Sequence, residues 1–138
     1  MMTLDAAKRD VCRVQRERTS SPLQAFVLLN GPQYVEAARG LAERLTRQYG
    51  DDKQAAENSI RDAFRILTSR PGSAEELAVL RELYATQLTY FSRDEQATRA
   101  FLNIGDAKPD ESLDAPPLAA LTVVVGTLLN FDQSMMKR

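Results

Sequence analysis

The chain has 138 residues and a mass of 15.4 kDa, one domain's worth of protein, long enough to bury about two-thirds of its unfolded surface in a single core. Its 18 Lys and Arg against 19 Asp and Glu leave a formal charge of −1, which argues against a broadly basic nucleic-acid or anionic-membrane surface. There is no His, so Ser–His and Cys–His dyads, His-ligated zinc or haem, and the usual general base near neutral pH are all excluded.

Residues 1–18 form a basic lead segment, with Lys8, Arg9, Arg13, Arg16 and Arg18 against Asp5, Asp10 and Glu17. Met1 to Asp10 lacks the apolar core of a signal peptide, so the chain as written reads as cytoplasmic. The lone Cys12 has no partner for a disulfide or a thiol cluster, and without a His base it reads as a small semi-buried residue. Ser21, Pro22 and Gln24 form a capping-box pattern that opens a short helix, Pro22 to Leu29. Asn30-Gly31-Pro32 ends that helix and starts the next, because the residue before Pro disfavours helical geometry while Pro suits a first turn.

In the second helix Tyr34, Val35, Ala38, Leu41, Ala42, Leu45 and Tyr49 recur at three- and four-residue spacing, and Gly50 closes it. Asp51 or Asp52 caps a third helix with Ala56, Ile60, Ala63, Phe64 and Leu67 inward, ending before Pro71-Gly72. Ser73 to Glu76 is a capping box for a fourth helix, striped by Leu77, Leu80, Tyr84, Leu88 and Phe91. The pattern repeats at Ser92 to Glu95, which predicts a break and a fifth helix through Ala97, Ala100, Phe101 and Ile104. Gly105 to Pro117 reads as the longest loop. The last element, Leu118 to Phe131, contains a strand-like Thr-Val-Val-Val run, but its length and the lack of a partner strand favour a buried helix, too short to span a bilayer.

The expected fold is all-α: one compact bundle of five or six helices over residues 1–138, with antiparallel neighbours joined by short turns. Gly40 and Gly126, inside helices, imply close helix approach.

Chemistry concentrates at Arg13 to Gln24. Three Arg precede a helix start, where free N–H groups and the dipole favour an anion, with Arg16 and Arg18 as forked donors and Thr19, Ser20 and Ser21 as hydroxyl partners. The simpler reading has Ser21 and Gln24 capping the helix while the Arg side chains pair with carboxylates, including those of another domain. Gln24 and Asn30 fix backbone at the helix junction. Asp51/Asp52, Glu75/Glu76 and Asp94/Glu95 each sit at a helix start, where capping explains them better than acid–base catalysis. No ligand cluster supports a metal, and no cofactor site is evident. Charge is uneven, with residues 71–114 carrying four basic against nine acidic groups.

The run from Arg16 through Thr19, Pro22, Leu23, Gln24, Ala25, Leu28, Leu29, Asn30 and Pro32 to Val35-Glu36-Ala37-Ala38-Arg39 resembles the C-terminal region of planctomycete-type secreted proteins, the domain of unknown function 1553 family. Ile60 to Arg65, Arg70-Pro71, Glu75 to Leu77 and Leu128 to Asp132 are similar more loosely, and Gly105 to Pro117 looks inserted. The resemblance implies the C-terminal part of a larger exported protein, with haem c, where present, on a separate domain, and it implies no assigned activity. The leading expectation is a non-catalytic helical module that packs against a partner domain, with Arg13, Arg16, Arg18, Thr19, Ser21, Gln24 and Asn30 as the interface. The alternatives are binding or processing of an anion or a sulfated or acidic glycan at the same residues, and an adaptor that dimerises through Leu118 to Leu129 if the faces of that helix are free.

Overall fold

The computed structural model describes residues 31–50 and 52–131. They form five helices: α1 (Pro32–Tyr49), α2 (Lys53–Thr68), α3 (Ala74–Arg93), α4 (Glu95–Leu102) and α5 (Ala115–Leu129). No strand occurs among them. The expected helix at Pro22 to Leu29 lies outside the described residues.

Each boundary has a local cause. Pro32 opens α1, and Gly50 closes it at φ 96°, a left-handed conformation that only glycine adopts freely, with its N–H donating to the Thr46 carbonyl. Asp52 caps α2 by accepting from the Ala55 N–H at 2.7 Å. Ser73 and Glu76 form the full reciprocal box at the start of α3.

The break after Arg93 is present, but Asp94 makes it. Asp94 ends α3 in an extended conformation and caps α4 through the Ala97 N–H at 2.9 Å. Ser92 instead donates its hydroxyl back to the Leu88 carbonyl at 2.6 Å. The interrupted ladder is repaired by the buried Thr98 hydroxyl, placed 2.8 Å from the Phe91 carbonyl and 2.7 Å from that of Asp94. Helix α4 therefore buries Thr98 and Leu102 and stacks Phe101 on Phe91 with ring centroids 5.2 Å apart. The helix passes through Ala97, Ala100 and Phe101 as expected but ends at Leu102, before Ile104.

The last helix starts at Ala115, three residues earlier than Leu118, because Pro116 and Pro117 sit in a first turn that needs no N–H from them. Its β-branched run stays helical in a tertiary setting that overrides strand propensity. Thr122 bonds back to the Leu118 carbonyl at 2.8 Å, and Leu118, Ala119, Ala120, Leu121, Val124, Val125 and Leu128 are all buried. The other four helices all pack on α5, most extensively α1 and α3. Its inner face is enclosed, while Val123, Gly126 and Leu129 are half-buried and Thr127 is exposed.

One apolar cluster joins Ala38, Ala42 and Leu45 of α1 with Ile60, Ala63 and Phe64 of α2, Leu80 and Phe91 of α3, Leu102 of α4 and the inner residues of α5. The two mid-helix glycines do not mark close approach. Among the described residues, a Cβ at Gly40 would meet nothing within 4 Å, and one at Gly126 would meet only the Ala38 Cβ at 4.0 Å, an ordinary contact.

Gly40→Ala should accordingly raise stability by about 0.5–1 kcal/mol, since the helix loses a flexible residue and nothing is displaced. Asp94→Ala should lower it by about 1 kcal/mol through loss of the α4 cap. Urea melts of both variants check the pair.

Candidate functional site

Alternating charges at three- and four-residue spacing place Glu36, Arg39, Glu43 and Arg47 on one face of α1. That face grips residues 102–110. Arg39 is 3% exposed, and its guanidinium donates to three carbonyls: Leu102 through Nη1, Ile104 through Nη1 at 3.1 Å and Ala107 through Nη2 at 2.6 Å. Its Nε makes no hydrogen bond but faces Glu43 Oε1 at 3.4 Å. Glu36 accepts from the Asp106 N–H at 2.7 Å, and Glu43 from the Asp110 N–H at 3.2 Å. Arg47 donates twice to Asp110 Oδ2, at 2.9 and 2.6 Å.

Gly105 is required here. It sits at φ 104°, and a Cβ would collide with the Glu36 carboxylate. The first part of the segment that looks inserted in sequence, as far as Asp110, is therefore tied to α1, by Glu36, Arg39 and Glu43 through its backbone and by Arg47 through the Asp110 carboxylate.

Two carboxylates are held well below their ordinary range. The Ser112 hydroxyl, then Arg47, then the Ser112 N–H bring Asp110 from 3.8 to about 2. Arg70, then the Ser73 N–H, bring Glu76 from 4.5 to about 2; Arg70 also lies over the Phe64 ring, 4.9 Å from its centroid. Both groups stay ionised near neutral pH and serve as acceptors, whereas a general acid needs its pKa raised. Asp62 raises the Tyr49 hydroxyl pKa by accepting its hydrogen bond at 2.5 Å.

Between α4, the 103–114 segment and the start of α5 lies an open cleft of about 690 Å³, with Phe91, Leu102 and Leu118 toward the core and Glu95, Asp110, Glu111 and Asp114 on its walls. Arg99, which also lines it, pairs with Glu95 at 2.6 Å. The wall charge is acidic and repels an anion. Among the described residues no group of three or more His, Cys, Asp or Glu is placed to hold a metal ion, and no helix is long and apolar enough to cross a membrane.

The residues singled out from sequence, Arg13, Arg16, Arg18, Thr19, Ser21, Gln24 and Asn30, lie outside the described residues, as do Cys12 and Asp51. Among the carboxylate pairs, Asp52, Glu76 and Asp94 accept capping bonds, from the Ala55, Ser73 and Ala97 N–H groups, as their positions predict. Arg39 was missed. The available signal was the alternation of charge along one helix face, which usually marks a solvated surface.

These features define an all-α protein whose polar side chains hold its own backbone. Over residues 1–84 the sequence matches the profile of the family described as PSD1, protein of unknown function (DUF1553), and the chain belongs to that family. No curated protein and no solved structure matches it.

Arg39→Ala should cost about 2–4 kcal/mol, because three carbonyls lose a charged donor. Arg39→Lys should recover only part of this, since a point charge cannot replicate the guanidinium fork. Denaturant unfolding measures both, and faster limited proteolysis within residues 103–114 would place the damage. Acid titration supplies a second check. The depressed Asp110 and Glu76 contribute stability that is present above their unfolded values near pH 4 and lost as pH falls toward 2. Asp110→Asn should flatten that part of the profile.

Proposed function

We propose that this chain is a non-catalytic helical module that packs against a partner domain of an exported protein, with the basic lead segment as its docking element. The supporting observation is how the polar groups of the described residues are used. Asp52, Ser73, Glu76 and Asp94 cap helices, and Glu36, Arg39, Glu43 and Arg47 hold the 103–114 segment. The sequence concentrates basic charge at Arg13, Arg16 and Arg18, followed by Thr19, Ser21, Gln24 and Asn30. Forked Arg donors suit carboxylates on a facing domain. Haem c, where family members carry it, belongs to a separate domain in this reading.

Arg16→Ala combined with Arg18→Ala should weaken docking to the upstream domain of a longer family member about tenfold, measured by calorimetric titration. Unchanged affinity would remove the lead segment from the interface.

A second reading is favoured by the placement of Arg16, Arg18 and Thr19 just ahead of a capping pattern. The same residues would grip a sulfated or acidic glycan. A melting shift that grows with ligand concentration across a panel of sulfated sugars supports it, and no shift with any of them rejects it.

A further inference from the structure

Helix α3 has a second face, exposed at Val79, Thr86 and Tyr90, that the core uses only through the half-buried Leu83. Leu80 and Phe91 turn inward, while Val79 is 66% exposed and Tyr90 57%. Val79, Leu83, Thr86 and Tyr90 follow four-, three- and four-residue steps, which places them within an arc of about 60° on the helix surface. From Leu83 to Ser92 no residue is charged. Solvent-facing helical surfaces are ordinarily charged, so an uncharged outer surface on this half of the helix, with Val79 and Tyr90 exposed on it, suits an occupant.

Charge at the two ends of the stripe identifies it. Glu75 and Arg93 are exposed, lie on the same edge of the stripe, and have no ion-pair partner among the described residues. We propose that α3 pairs antiparallel with α3 of a second copy of this chain. An antiparallel two-fold keeps each edge against the same edge of the other helix while reversing its direction. Val79 then faces Tyr90, Leu83 faces Thr86, and Arg93 at one end meets Glu75 at the other, twice per dimer. A parallel two-fold pair would instead lay each edge against the opposite edge of the other helix, so that Glu75 and Arg93 would not meet, and would align the helix dipoles unfavourably.

A single helix pair about 30 Å long falls at the small end of specific interfaces, below about 1,200 Å². The dimer is therefore concentration-dependent. It goes beyond docking by the lead segment and is read by a separate measurement, so either can fail alone.

Sedimentation velocity of the full chain from low to high micromolar concentration tests it. The expected result is a monomer–dimer equilibrium that Val79→Asp with Tyr90→Asp weakens about tenfold or more. Arg93→Glu weakens it several-fold, and adding Glu75→Arg restores it. All these positions are exposed, and unchanged melting temperatures confirm that folding is intact. A monomer throughout the range overturns the proposal, as does a dimer indifferent to Val79→Asp with Tyr90→Asp. An Arg93→Glu variant that dimerises as tightly as the parent overturns the antiparallel register.

Discussion

Arg39 is the interaction on which the arrangement of this protein depends. A guanidinium withdrawn from water is costly unless its donors are met, and three main-chain carbonyls at and beyond the end of α4 meet them. The converse holds as well: those carbonyls lie where the chain has left a helix, with no regular ladder to satisfy them. Each side removes the other's desolvation penalty. Glu36, Glu43 and Arg47 extend the same logic along α1, so that a segment rich in Asp, Gly and Pro acquires one defined path.

The second constraint is the central helix. With Leu, Val and Ala nearly all round it, α5 has no polar face to present to water and is stable only when enclosed. Helices α1 to α4 supply the enclosure, and they are the amphipathic elements with recognisable caps. Because the 103–114 segment feeds directly into the first turn of α5, the clamp on α1 also sets where the central helix enters the core.

Most of the fold was legible because its punctuation is local. Pro32, Gly50, Asp52, Ser73 and Asp94 act within a few residues of their own positions, so helix limits follow from short-range chemistry. Two kinds of feature were not legible. Ser92 and Asp94 both suit a cap, and the side-chain pattern does not decide between them: Ser92 bonds back to the Leu88 carbonyl and Asp94 takes the Ala97 N–H. Likewise Gly40 and Gly126 drew notice as mid-helix glycines, yet the glycine with no alternative is Gly105, whose constraint comes from a glutamate 69 positions earlier. The family pattern Val35 to Arg39 was visible as a likeness, but its acceptors lie in a stretch of sequence that carries no signal of being gripped.

The clamp also bears on how the chain reaches its fold. Arg39 and its acceptors are separated by 63 to 68 positions, and the acceptors lie beyond residue 84, where the match to the family ends. The family-matching stretch is therefore not a self-sufficient folding unit. As the chain leaves the ribosome, α1 to α3 emerge first and cannot bury Arg39 until the rest follows. Closing so long a loop makes this a late, high-contact-order step. Until then the nascent chain exposes both an unpaired guanidinium and the apolar groove meant for α5, and in that interval it depends most on protection from aggregation.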